Sequence, residues 1–143
     1  MEQSLRLEFE QVLPSRESIK IAKANDRFRG GIKVEATPSV SGLLLFALVP
    51  EGGRVILSRS INPGSAEELD EIMSGVRNFR AFDGEMDPYG EHDMGIFRCP
   101  GQLYAFKFAY HFPDTLEEGA DPVSDDVYRV LHIMPANELS RFQ

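Results

Sequence analysis

The densest chemistry in the 143-residue chain is the run Asp87-Pro88-Tyr89-Gly90-Glu91-His92-Asp93. Carboxylates beside an imidazole can ligate a divalent cation or carry general acid–base catalysis. The spacing fits no standard cation loop. With Asp83, Glu85 and Asp87 as the first, third and fifth positions of an EF-hand, Pro88 stands where the turn glycine belongs. Met94 then stands where the bidentate glutamate belongs. If the run entered a strand, Glu91 and Asp93 would share one face and His92 the other. Three readings stay open: a tight turn in which Asp87 caps the backbone across Pro88-Tyr89-Gly90, a surface that touches another protein, and a metal or catalytic site. The last would use Glu91, His92 and Asp93 as catalytic candidates, with Asp87 as a further ligand. His111 and His132 lie on other predicted elements, so a zinc site shared with His92 would need the fold to gather all three. Cys99 is accompanied by no Cys-x-x-Cys, Gly-x-Ser-x-Gly, Walker A or His-Glu-x-x-His pattern and reads as an inert thiol.

Arg27 and Arg29 are the cations that could complement this run. One role is architectural pairing with acidic loops, the other is holding an anionic substrate. The charge distribution explains the emphasis. The chain carries a net charge of −8, and the block 80–126 accounts for all of it, with Arg80, Arg98 and Lys107 set against eleven acids. Those acids fall in two clusters, one at 83–93 and one made of Asp114, Glu117, Glu118, Asp121, Asp125 and Asp126. Both have turn chemistry, which predicts surface loops. Loops sharing a face would attract cations or a basic protein partner. The acidic balance argues against direct binding of nucleic acid. The longest apolar run, 43–50, is far short of the roughly 20 residues of a membrane helix. The polar start Met1-Glu2-Gln3-Ser4 does not read as a secretory signal, and the single cysteine fits a reducing cytoplasm.

The elements that must position these residues follow from periodicity. Leu5, Leu7 and Phe9 alternate with charged residues as in a half-buried strand. Ser15 caps a helix with an apolar stripe of Ile19, Ala22 and Phe28, ended by Gly30-Gly31. A short strand follows at 32–36. The apolar run 42–49 turns at Glu51-Gly52-Gly53 into a strand at 54–58, which predicts a hairpin. Ser65-Ala66-Glu67-Glu68 is a capping box opening a helix over 66–79. Strands at 94–99 and 102–111 join through Pro100-Gly101, and the alternate aromatics Tyr104, Phe106, Phe108 and Tyr110 read as core. Residues 127–134 are β-branched and aromatic enough for a strand, with a helix as the alternative, and Pro135 ends the segment before a final helical turn at 136–141. The sum is one α+β domain, a mainly antiparallel sheet with two helices packed on it.

Three segments then occur in order: Ile21 through Arg29, Asp87 through Gly95, and Arg129-Val130-Leu131-His132-Ile133-Met134. Over residues 19–139 the chain resembles the bacterial domain-of-unknown-function family 3768, with 32–53 reading as an added hairpin. It departs from the family pattern at Met94, where Phe is usual, at Ala109, where an acid is usual, and at His132, where Thr is usual. The resemblance implies a mobile-element setting and no particular activity. The expectation is a small acidic accessory protein of phage or plasmid type that needs no cofactor. It would act by binding a protein or nucleoprotein partner with a basic surface, for instance as a counter-defence inhibitor. Asp87, Tyr89, Glu91, His92, Asp93, Arg27, Arg29, Asp114, Glu117, Glu118 and Asp121 are the candidate contacts. The alternative is a divalent-metal-dependent hydrolase built on the 87–93 loop, with Arg27 or Arg29 holding the substrate.

Overall fold

The first described helix begins where its capping chemistry requires. In a computed structural model that describes residues 15–40 and 42–142, Ser15 Oγ accepts from Ser18 N at 3.0 Å and opens helix α1, Arg16–Gly30. The strand predicted over Leu5, Leu7 and Phe9 lies outside the described residues. Glu17 in the first turn and Arg27 and Arg29 in the last complement the helix dipole. Its buried face is Ser18, Ile21, Ala22, Asn25, Phe28 and Arg29, so the predicted stripe is corrected at one position: Ile19 is exposed and Ile21 is inside. The helix buries an amide and a guanidinium on its inner face, and a hydropathy pattern counts both as solvent-facing.

Helix α2, Ala66–Asn78, follows the predicted capping box closely. Ser65 Oγ accepts from Glu68 N at 3.1 Å, while the Glu68 carboxylate accepts from Gly64 N at 2.7 Å. Leu69, Ile72, Met73 and Val76 are buried, each worth about 1.5–3 kcal/mol of transfer free energy. Gly75 lets the helix approach the sheet, since a Cβ there would collide with the Phe97 ring.

Strands β1 (Lys33–Ser39) and β2 (Gly42–Leu48) pair antiparallel as a separate two-stranded sheet. Strands β3 (Gly53–Leu57), β4 (Met94–Cys99), β5 (Gln102–His111) and β6 (Tyr128–Pro135) form a four-stranded sheet in the order β3-β6-β5-β4. A 3₁₀ segment, Ala136–Phe142, closes the described chain. The expected hairpin between 42–49 and 54–58 is not formed. β2 pairs back onto β1, and β3 runs parallel to β6 from Gly53↔Arg129 to Leu57↔Ile133. The turn signal was real, because Gly52 has φ +85°, but the chain leaving it crosses to the other sheet. Gly53 permits that crossing: a Cβ there would strike the Arg129 carbonyl oxygen and the Phe28 ring. The fold is thus α+β with one antiparallel and one mixed sheet.

The register brings the charged loops together. β4 starts at Met94, paired with Lys107, and β5 ends at His111, paired with Tyr128 at the start of β6. Gly53, at the start of β3, lies beside Arg129. Loop 79–93, loop 112–127 and turn 49–52 therefore all meet the four-stranded sheet at the same end. No described helix is long and apolar enough to cross a membrane.

Candidate binding surface at one end of the sheet

Loop 82–93 is built by its own carboxylates. Asp83 Oδ1 accepts from Glu85 N and Met86 N, and Asp87 N donates to Asp83 O at 2.8 Å. Asp87 is buried, and its carboxylate accepts from Glu91 N at 2.9 Å and His92 N at 3.2 Å. Gly90 at φ +68° and His92 at φ +56° make the left-handed bends that bring those two amides round to it. Asp87 thus caps its loop, as the turn reading expects, and two backbone donors already occupy its carboxylate.

His92 is held equally firmly. Its ring stacks on Phe82 with centroids 4.0 Å apart and planes 1° apart, and Nδ1 lies 2.9 Å from the Asp26 carboxylate. Asp26 also accepts from Arg29 Nη2 at 2.6 Å. Arg29 is 3% exposed and caps the C-terminal end of α2, donating through Nη1 to Val76 O at 2.6 Å and Phe79 O at 3.2 Å. Its guanidinium carbon lies 5.2 Å and 5.1 Å from the Phe82 and Phe106 ring centres. The expectation that Arg27 and Arg29 pair with the acidic loops is therefore corrected. Arg29 pairs within its own helix, Arg27 has no ion pair among the described residues, and Lys20 reaches a loop acid, Asp125, at 2.8 Å.

Asn25, fully buried, fastens the end of the loop to the sheet. Its amide nitrogen donates to Glu91 O at 3.1 Å and Tyr110 Oη at 2.8 Å, and its oxygen accepts from Arg129 Nε at 2.8 Å. Asn25, Phe82 and Arg129 were absent from the sequence-based candidates. The signal that could have found Asn25 is a polar residue between Ala22 and Phe28 on an otherwise apolar helix face.

Glu91 and Asp93 are half-buried, and Asp93 O accepts from Phe108 N at 2.8 Å. Burial raises both carboxyl pKa values, and repulsion adds to it, from Asp93 and Asp87 on Glu91 and from Asp87 on Asp93. A carboxyl that holds its proton more tightly when folded gives stability that falls as pH rises through and above the ordinary carboxylate range. Asp93→Asn should remove part of that fall. In thermal unfolding between pH 4.5 and 7.5, the melting temperature of the variant relative to wild type should rise with pH. A difference that is flat or declines with pH would show that Asp93 is not held in this way.

Asp87, Glu91, His92 and Asp93 do not converge on a metal geometry. Among the described residues no group of three or more His, Cys, Asp or Glu side chains is placed to hold an ion, and His92, His111 and His132 form no ligand set. A cleft of about 540 Å³ lies near this end of the sheet, and none of the four lines it.

The second acidic loop extends β5. His111 bridges Glu118, Phe112 N donates to Glu117 O at 2.8 Å, and Gly119 N and Ala120 N both donate to Tyr110 O. Asp114 Oδ1 accepts from Thr115 N and Asp121 Oδ1 from Val123 N, so these acids shape their own turns. Asp114, Glu117, Glu118 and Asp121 are all exposed. Among these four, within the described residues, only Glu118, 3.9 Å from His111, meets an ion-pair partner. Large apolar side chains stand among the acids of both loops: Tyr89 is 57% exposed, Phe112 43% and Leu116 45%.

Fold and site together define an α+β protein that presents two internally braced acidic loops, with apolar side chains among them, at one end of a mixed sheet. Residues 57–138, more than half of the chain, match the profile of a family described as a protein of unknown function, DUF3768, and the chain belongs to that family. The match takes in α2, most of the four-stranded sheet and both loops. It is shorter than the 19–139 expected, so α1, with Asn25, Asp26 and Arg29, lies outside it. No curated protein and no solved structure matches the chain.

Proposed function

We propose that the protein acts by binding a partner protein that carries a basic surface, with loops 82–93 and 112–126 as the contact. The observation that carries this reading is the company the acids keep: the exposed Tyr89, Phe112 and Leu116 stand in the same two loops as the exposed acids, and of Asp114, Glu117, Glu118 and Asp121 only Glu118 meets an ion-pair partner among the described residues. Aromatic and aliphatic anchors inside a charged rim are what a protein interface needs, the anchors giving affinity and the rim giving orientation and speed of association. The internal braces support it too, because a preformed loop loses less entropy on docking. Engagement of Asp87 by two amides, and of His92 by Asp26 and Phe82, favours binding over a hydrolase centred on 87–93. A role as an accessory protein of a mobile element, blocking a basic groove on a host complex, is compatible with this contact chemistry.

The test is affinity capture from producing cells with mass-spectrometric identification, followed by binding measurements on the purified pair. Charge reversal at Asp114, Glu117, Glu118 and Asp121 should weaken the pair by more than about tenfold and reduce its salt dependence. Reversal at the exposed Glu67 and Glu71 on α2 serves as the control and should have little effect. Equal loss in both variants, or in neither, would overturn the reading.

A further inference from the structure

A second surface at this end of the molecule has the opposite sign. Along α1, Arg16, Lys20, Lys23 and Arg27 recur at intervals of four, three and four residues, which stacks them in one stripe about 16 Å long. All four are exposed, and all four line the 540 Å³ cleft. Residues 122–125 and turn 50–52 line it as well. The carboxylates lining the cleft are Glu51 and Asp125, and Asp125 is already engaged by Lys20. Four like charges on successive turns repel one another, and the cleft is lined by more cations than carboxylates.

Arg129, which also lines the cleft, gives an independent indication. Its Nε donates to Asn25 Oδ1, its Nη2 reaches Pro122 O at 3.5 Å, and its guanidinium lies over the Tyr110 ring at 5.9 Å. Among the described residues no carboxylate pairs with it. Burial lowers its pKa and the charge of Arg27 lowers it further, although Tyr110 opposes the shift. A half-buried guanidinium, positioned by a buried amide and sharing a cleft with a second guanidinium without a paired carboxylate, is an arrangement that suits an anion.

We infer that this cleft binds a small anion bearing phosphate groups. Guanidinium forks at Arg27 and Arg129, with ammonium groups at Lys20 and Lys23 beside them, suit several tetrahedral oxygens better than a single carboxylate. Ile19 and Val123 offer an apolar surface for an organic portion. The acidic loop beside the cleft favours a compact ligand over a long polyanion such as a nucleic-acid strand, which the field of Asp121 and Asp126 would repel. The inference does not rest on the partner-binding proposal: the two share segment 122–125, but the cations of the cleft belong to α1 and β6, and the acids altered to test partner binding, Asp114, Glu117, Glu118 and Asp121, do not line it.

Isothermal titration calorimetry of the purified full chain at low ionic strength tests it, with tripolyphosphate and ATP as probes. Saturable one-to-one binding of at least one of them is expected. The double variant Lys23→Glu/Arg27→Glu, altered at exposed positions, should keep the wild-type circular-dichroism spectrum and weaken binding by at least about tenfold. Arg54→Glu, exposed and outside the cleft, should leave it unchanged. Tighter binding of ATP would point to a nucleotide, and equal binding to recognition of phosphate charge alone. Absence of saturable heat with either probe overturns the site, as does binding that the double variant retains. A glutamate-rich peptide or a single-stranded oligonucleotide that binds where neither probe does would also overturn it.

Discussion

Replacing Arg29 with methionine is expected to destabilise the fold by about 3–5 kcal/mol, the range for removing one member of a buried charged network. Methionine fills much of the same volume, so the loss isolates the guanidinium. Without it, the Val76 and Phe79 carbonyls lose their donor at the end of α2, and Asp26 keeps only His92. Each buried carbonyl left without a partner costs about 1–3 kcal/mol. Burial lowers the Arg29 pKa and Asp26 opposes the shift, yet a guanidinium stays charged, so its burial has to be compensated by these partners. Urea unfolding followed by circular dichroism would show a large drop in midpoint with an unchanged slope. A change below about 1 kcal/mol would mean that the packing of Phe82 and Phe106 holds this junction without the charge.

Asn25→Leu should cost about 2–4 kcal/mol, because one amide satisfies three partners in separate parts of the fold. Leucine has a similar size and suits a helix, so neither propensity nor volume explains a loss. The Glu91 carbonyl, the Tyr110 hydroxyl and Arg129 Nε would all lose their partner together. Hydrogen exchange should then accelerate at Glu91 and His92, and Arg129 should lose its fixed place beside the cleft. If only the midpoint falls while exchange in loop 82–93 stays as protected as in wild type, Asn25 stabilises the core without positioning the loop.

Both variants act at places where the sequence misled. Much of what near neighbours decide was legible: the Ser65 cap and its helix, the turn at Pro100-Gly101, and the aromatic face of β5. The turn at Gly52 was legible as well, but its destination was not. Pairing of β3 with β6 joins segments more than seventy residues apart, and only the close approach at Gly53 allows it. Arg29 and Asn25 looked like solvent-facing residues because charge and polarity are ordinarily outside. They are inside because carbonyls, a carboxylate and a hydroxyl wait there for them, most of them far away in sequence. For the same reason the candidate site was half legible. The loop acids could be counted and their turns read, and Asp87 does cap its own loop. That three loops share one end of the sheet emerges only from strand register, and the basic stripe on α1 gains meaning only from the cleft it lines together with residues 122–125.

Zero-length carbodiimide coupling in producing cells tests the proposed contact before the partner is identified, because it joins a carboxylate to a lysine only when the two already touch. Cross-linked peptides should come from Glu85, Asp114, Glu117, Glu118 and Asp121, joined to lysines of a single partner, and should fade as salt is raised before coupling. Cross-links that arise instead from Glu67 and Glu71 on α2, or that spread evenly over all exposed acids, would contradict the assignment of the acidic loops as the binding surface.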